Sequence, residues 1–177
     1  MKDSILRLFV LAAALSCQFA WAEPFAKTDW TVRCWDGEKR LWTDRGIDAM
    51  SVAEEDGIAT ITNTSGVHKH AHLVMPAALE GDFSFAIELK GGYELGFLNR
   101  EGKDEMLYVE LGDEADWETF VLTRKGTRYS IERNGRVVPL VHFRFDYGDE
   151  VIITLAIKEG EKASIRSCLL TLAAEAR

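Results

Sequence analysis

The sequence has 177 residues, 47% of them hydrophobic, and a formal net charge of −8. That is the length of one ordinary domain, large enough to fold without a staple. The acid excess argues against a nucleic-acid or anionic-membrane partner, which needs a basic patch to displace counterions, and fits a neutral partner such as a glycan, or a cationic one.

Residues 1–22 read as a secretory signal peptide. Lys2 and Arg7 precede an apolar run from Leu8 to Ala20, and Ala20-Trp21-Ala22 has the small-x-small pattern that signal peptidase cuts after. The run is shorter than the roughly 20 apolar residues a membrane span needs. Lipidation at Cys17 is the other alternative, but Ala14-Leu15-Ser16 places the bulky aliphatic one position too late for it. The expectation is a single domain over 23–177, secreted or periplasmic, with no membrane span.

The domain reads as a succession of short strands. Trp30 to Trp35 is the first, and Asp36-Gly37 breaks it. Leu41 to Met50 reads as irregular. Met50 to Glu54 and Ile58 to Asn63 flank the turn Glu55-Asp56-Gly57, and His68 to Met75 follows the turn Thr64-Ser65-Gly66. Ala77 to Glu80 is a short connection of about one helical turn. From Asp82 to Lys90 the alternation is cleanest: Phe83, Phe85, Ile87 and Leu89 point one way, and Ser84, Ala86, Glu88 and Lys90 the other. Tyr93, Leu95 and Phe97 alternate in the next strand, and Leu107, Val109 and Leu111 in the one after.

Trp117 to Leu140 predicts three strands joined by tight turns at Lys125-Gly126 and Asn134-Gly135. Asn-Gly tolerates the positive φ that a two-residue type I′ hairpin requires at both central positions. Val151 to Ile157 and Ala163 to Leu172 complete the set. Ten to twelve strands, turn signals every ten to twelve residues and no long helical pattern predict an all-β, two-sheet antiparallel sandwich. No internal repeat or linker interrupts it.

Cys34 falls in the first strand and Cys168 in the last. Terminal strands of sandwiches often lie side by side, so a Cys34–Cys168 disulfide is expected in an exported protein. It would contribute about 4–5 kcal/mol through loop-closure entropy.

Four groups of residues could carry chemistry. His68, His70 and His72 recur at every second position and would project from one strand face, as an ordinary polar surface of exposed or hydrogen-bonded histidines, as a ligand-contacting polar face, or as part of a divalent metal site completed by an acid from another strand. Trp42 lies in a polar stretch and is the tryptophan best placed for exposure to a sugar. If Leu107 and Val109 are core, Tyr108 and Glu110 face outward or into a groove. The acidic loop Asp113-Glu114-Ala115-Asp116 lacks the order of a calcium loop and reads as solvated charge. His142 reads as structural. No nucleophile elbow, phosphate loop or Cys-x-x-Cys motif occurs.

Gly81-Asp82-Phe83-Ser84-Phe85, a glycine-broken strand pair, Trp117 opening a strand, Asn134-Gly135, then Gly148-Asp149-Glu150 and a closing Ile/Leu-rich strand come in an order that resembles the concanavalin A-like lectin/glucanase jelly rolls. Within them the sequence is most similar to laminin-G-like domains and to secreted domains of the 3-keto-disaccharide hydrolase type. The resemblance covers about Trp30 to Leu172 and implies a ligand groove on the concave sheet. The E-x-D-x-x-E strand of the glucanases is absent, since Glu110 and Asp113 would fall on opposite faces. Carbohydrate binding without catalysis is the leading expectation. A glycoside-acting hydrolase is the first alternative and a laminin-G-like protein-interaction or structural module the second.

Overall fold

The computed structural model describes residues 25, 27–36, 38, 41–67, 71–75, 78–99, 105–112, 116–148 and 150–173. Fourteen strands occur among them: β1 (Thr31–Asp36), β2 (Leu41–Asp44), β3 (Ser51–Glu55), β4 (Ile58–Thr62), β5 (Ala71–Val74), β6 (Phe83–Gly91), β7 (Glu94–Asn99), β8 (Met106–Glu110), β9 (Glu118–Lys125), β10 (Arg128–Arg133), β11 (Arg136–Val138), β12 (Val141–Phe143), β13 (Val151–Ala156) and β14 (Lys162–Leu172). They form two seven-stranded antiparallel sheets: sheet I in the order β11-β10-β9-β6-β14-β4-β3, and sheet II in the order β12-β8-β7-β13-β5-β1-β2. The all-β sandwich expected from the alternation is the architecture observed.

Two strands exceed the expected count. β2 lies in the stretch read as irregular, and β12 contains the histidine read as isolated. Both are edge strands of three or four residues that are mostly exposed. A short strand paired on one side only has no buried face to impose alternation on its sequence. Leu79, expected in a helical turn, instead bridges to Val151.

The turns follow their chemistry. Asn134 and Gly135 have φ of 50° and 75°, and Asp56 and Gly57 have φ of 50° and 75°. Both pairs join hairpins, β10–β11 and β3–β4, with the type I′ signature. The β9–β10 turn is centred on Gly126 and Thr127, one residue later than the sequence suggests.

The core lies between the sheets. Phe83, Phe85, Ile87 and Leu89 of β6 meet Val32, Leu73, Leu95, Phe97, Leu107, Ile153 and Leu155 of sheet II. Fully burying one such side chain is worth about 1.5–3 kcal/mol. Asn63 fastens the turn after β4: its Nδ2 donates to the carbonyls of Val67 and Ile157, and its Oδ1 accepts from the Ser65 amide and hydroxyl.

The two sheets differ in their outer faces. β6 alternates buried and half-exposed residues, as a sheet wet on one side must. β13 is buried at all six positions and β5 at all four. The sequence of β13, VIITLA, accordingly runs apolar without alternation. The middle of sheet II is dry on both faces.

The disulfide expectation is corrected. Cys34 and Cys168 are thiols with no disulfide between them. The terminal strands are not neighbours: β1 sits in sheet II beside β5, while β14 sits in sheet I between β6 and β4. The Cys34 thiol bonds with Ser65, and burial pushes its pKa up despite that bond and the nearby Arg45 charge.

Gly96 on β7 faces Tyr108 on β8, and a Cβ there would lie 2.6 Å from the Tyr108 Cα. Gly96→Ala should therefore cost about 1–3 kcal/mol, read as a lower urea midpoint at unchanged m-value. Adding reductant to the native protein should leave the thermal midpoint where it is. A fall of several degrees on reduction would show a disulfide that this arrangement does not contain.

Candidate functional site

Strand register assigns every outward residue of sheet II. Inward Val32 and Cys34 pair with Leu73 and Ala71, so Arg33 and Trp35 face outward with their partners His72 and Trp42. Thr154 and Ala156 follow on β13, Glu94, Gly96 and Leu98 on β7, and Glu110, Tyr108 and Met106 on β8. Val141 and Phe143 end the face on β12. Four sequence-predicted residues, Trp42, His72, Tyr108 and Glu110, thus share one face. His68 and His70 lie outside the described residues.

Leu98, Met106 and Ile152 form an apolar cluster on this outer face, separate from the main core, and Trp42 and Tyr108 both pack against it. Trp42 is on the edge strand β2, three strand spacings from the nearest member of the cluster. At 4.7–4.9 Å per spacing that is about 14 Å, further than an indole reaches across a flat sheet. Sheet II must therefore curl so that its flanks lean over its middle and the two rings cover the cluster. Trp42 and Trp35 form one wall, Tyr108 and the two glutamates the other, and the cluster is the floor.

His72 belongs to the floor. It is fully buried, its Nδ1 lies 2.8 Å from Thr154 Oγ1, and the Trp42 ring meets it edge-on at 4.8 Å. The expected solvent-facing histidine is in fact a support for Trp42, which stands over it. Trp35 braces Trp42 from the other side, 5.6 Å between ring centroids. Trp42 is half-buried, but its Nε1 is buried and has no hydrogen-bond partner. A buried donor left so costs about 1–3 kcal/mol.

On the opposite wall Glu94 and Glu110 are direct cross-strand partners, and Tyr108 lies on the same face one alternation along β8. Burial pushes the Tyr108 phenol above its usual pKa of 10, and the negative charges of Glu94 and Glu110, with Tyr93, push it further. The phenol is held as a neutral hydrogen-bond donor. Glu110 is exposed at the rim and Glu94 half-buried. Arg33 is held 2.7 Å from Asp44 on the far wall.

Glu94, Trp35 and the Arg33–Asp44 pair were not singled out from sequence. Glu94 was within reach of it: the alternation that turns Leu95 and Phe97 inward turns Glu94 outward, and the β7–β8 hairpin then sets it opposite Glu110. Among the described residues no group of three or more histidine, cysteine, aspartate or glutamate side chains is placed to hold a metal ion. No described helix is long and apolar enough to cross a membrane. His142, as expected, is structural: its Nε2 accepts from the Phe145 amide at 2.6 Å.

No family model and no curated protein matches the chain in sequence. Solved structures match it in fold. A sialidase superposes with a TM-score of 0.53 at 10% identity over 81% of this chain, which spans only 17% of the sialidase. The alginate lyase AlgAT5, of polysaccharide lyase family 7, superposes with a TM-score of 0.51 at 10% identity over 83% of this chain and 95% of the lyase. The fold is the concanavalin A-like jelly roll. Identities this low speak to the fold alone.

Stability should fall at alkaline pH from the Tyr108 shift. A raised native pKa means the unfolded chain loses this proton first, so stability is full below about pH 10 and is lost as pH rises through the native value. A spectrophotometric titration should show a late-ionising phenol that is missing in Tyr108→Phe.

Proposed function

We propose that this protein is an exported carbohydrate-binding domain whose ligand lies on the outer face of sheet II, against Trp42 and Tyr108. One observation carries the reading: aromatic rings from opposite flanks converge over the same dry, apolar floor. Rings so placed offer flat faces to the C–H faces of a pyranose. The neutral Tyr108 hydroxyl supplies a donor for sugar oxygens, and Glu110 supplies an acceptor at the rim. His72 takes no part in contact and fixes the Trp42 ring. Export rests on the Leu8 to Ala20 run and the Ala20-Trp21-Ala22 pattern. The presence of a glycan-active enzyme, AlgAT5, among the fold's members agrees with this reading.

A second reading, a glycoside hydrolase of the 3-keto-disaccharide hydrolase type, is favoured by the Glu94/Glu110 pair. Directly opposed strand positions have Cβ atoms about 4.5–5.5 Å apart, and paired carboxylates near that separation serve retaining glycosidases. Against it, Glu110 stands exposed at the rim rather than at the base of a pocket. If the pair is catalytic, Glu110→Gln abolishes sugar release while binding persists.

Thermal unfolding of the purified protein against a panel of oligosaccharides tests the first reading. A ligand at a hundred times its Kd adds about 2.7 kcal/mol, enough to raise the midpoint by several degrees. Trp42→Ala and Tyr108→Ala should each remove that shift. A shift that survives both substitutions places the ligand elsewhere.

A further inference from the structure

We infer that the outer face of sheet I carries a second, separate site, for a saccharide with one uronate carboxylate held between Lys125 and Arg128. It does not rest on the sheet II reading, since it lies on the other sheet of the sandwich.

The site is a cavity of about 620 Å³ whose lining includes Thr123 and Lys125 of β9 and Arg128, Ser130 and Glu132 of β10. Small-molecule clefts hold roughly 300–1,000 Å³. β9 turns Phe120, Leu122 and Arg124 inward, so Val121, Thr123 and Lys125 face outward. Register then sets Arg128 opposite Lys125, Ser130 opposite Thr123 and Glu132 opposite Val121. The hydroxyl pair continues beyond the cavity: Thr123 faces Ser84 on β6, and Ser84 faces Thr171 on β14. Four hydroxyl side chains thus lie in one line across four strands, spanning about 14 Å at 4.7–4.9 Å per strand.

Lys125 and Arg128 are exposed and directly opposed. Like charges so placed destabilise a sheet, and an anion between them relieves the repulsion. Other cations of sheet I are held by carboxylates, Arg133 by Glu118 and Arg166 by Glu88. Among the described residues neither Lys125 nor Arg128 has an ion-pair partner, in a chain with 29 acidic residues to 21 basic ones. Asp82, just before β6, turns its Oδ1 to the Gly126 amide at 2.6 Å. Glu132 stands four residues from Arg128 along β10, about 13 Å away. A guanidinium takes a carboxylate through two parallel N–H···O bonds, and the acid at the far end repels a second anion. The pattern fits one carboxylate at the β9–β10 turn and a neutral, hydroxyl-rich body running from it over Thr123 and Ser130. It does not fit an extended peptide, because β9 and β10 are each paired on both sides and offer no open backbone edge.

Titration calorimetry at low salt tests this with four probes: cellobiouronic acid (a glucuronate joined to glucose), its neutral counterpart cellobiose, inorganic phosphate and tetraglutamate. The uronate should bind about tenfold or more tighter than each of the other three, and its advantage over cellobiose should narrow as salt is added. The double variant Lys125→Gln/Arg128→Gln should lose that advantage, and Trp42→Ala should keep it. Equal affinity for the uronate and cellobiose, no binding of the uronate, or an advantage that survives the double variant overturns the inference. Phosphate or tetraglutamate binding as tightly as the uronate also overturns it, as a bare anion site or a peptide site. Loss of the advantage in Trp42→Ala places the acidic sugar on sheet II and overturns it as well. None of these outcomes touches the sheet II reading except the last, which would support it.

Discussion

β13 is buried on both faces, and the rest of the molecule follows from that. Its inward side chains, Val151, Ile153 and Leu155, complete the core against sheet I. Its outward ones, Ile152, Thr154 and Ala156, would be wet in a flat, one-sided sheet. They are dry because the flanks of sheet II fold over them. Curling brings Trp42 across from the edge, sets Tyr108 over the side-chain-free Gly96 and closes His72 and Thr154 into one buried polar pair. The hydrophobic effect that stabilises the sandwich thus also covers the outer face of its second sheet.

Much of this was legible in the sequence, for a definable reason. Where a sheet has one wet face, water writes a period of two into the chain, and β6, β8 and β9 could be read with their faces assigned. Turns that force positive φ were equally plain, at Asp56-Gly57 and Asn134-Gly135. What failed were features fixed by non-local geometry. β2 and β12 are edges whose side chains answer to one neighbour. Which sheet receives the first strand and which the last is decided by packing, so the pairing of Cys34 with Cys168 could not be read from their places in the chain. His72 was read as part of a polar strand face, and it lies outward on its strand but buried beneath Trp42. Alternation gives the side of a sheet a residue is on, and carries no information about what leans across it.

One sequence signal was available for that last point. VIITLA in β13 lacks alternation, and such a run of strand length means burial on both faces. In a two-sheet sandwich the core can cover only one of them. The other cover must come from outside the sandwich interior, so a non-alternating strand in the middle of an otherwise alternating fold marks the sheet whose outer face is enclosed. Sheet I has no such strand: β6 and β9, at its centre, both alternate.

The polar groups point to the same face. In the core, buried polar side chains have partners: Asn63 bonds to carbonyls, an amide and a hydroxyl around its turn, Glu118 holds Arg133 and Asn134, and Arg124 reaches the carbonyls of Gly126 and Leu79. The Trp42 indole N–H does not, and it shares that condition with Asn99 Oδ1 at the end of β7. Leucine or phenylalanine at position 42 would cover the floor without burying an unsatisfied donor. Tryptophan there stabilises the fold less than it could. That cost falls at the place where rings from both flanks meet over the same apolar cluster.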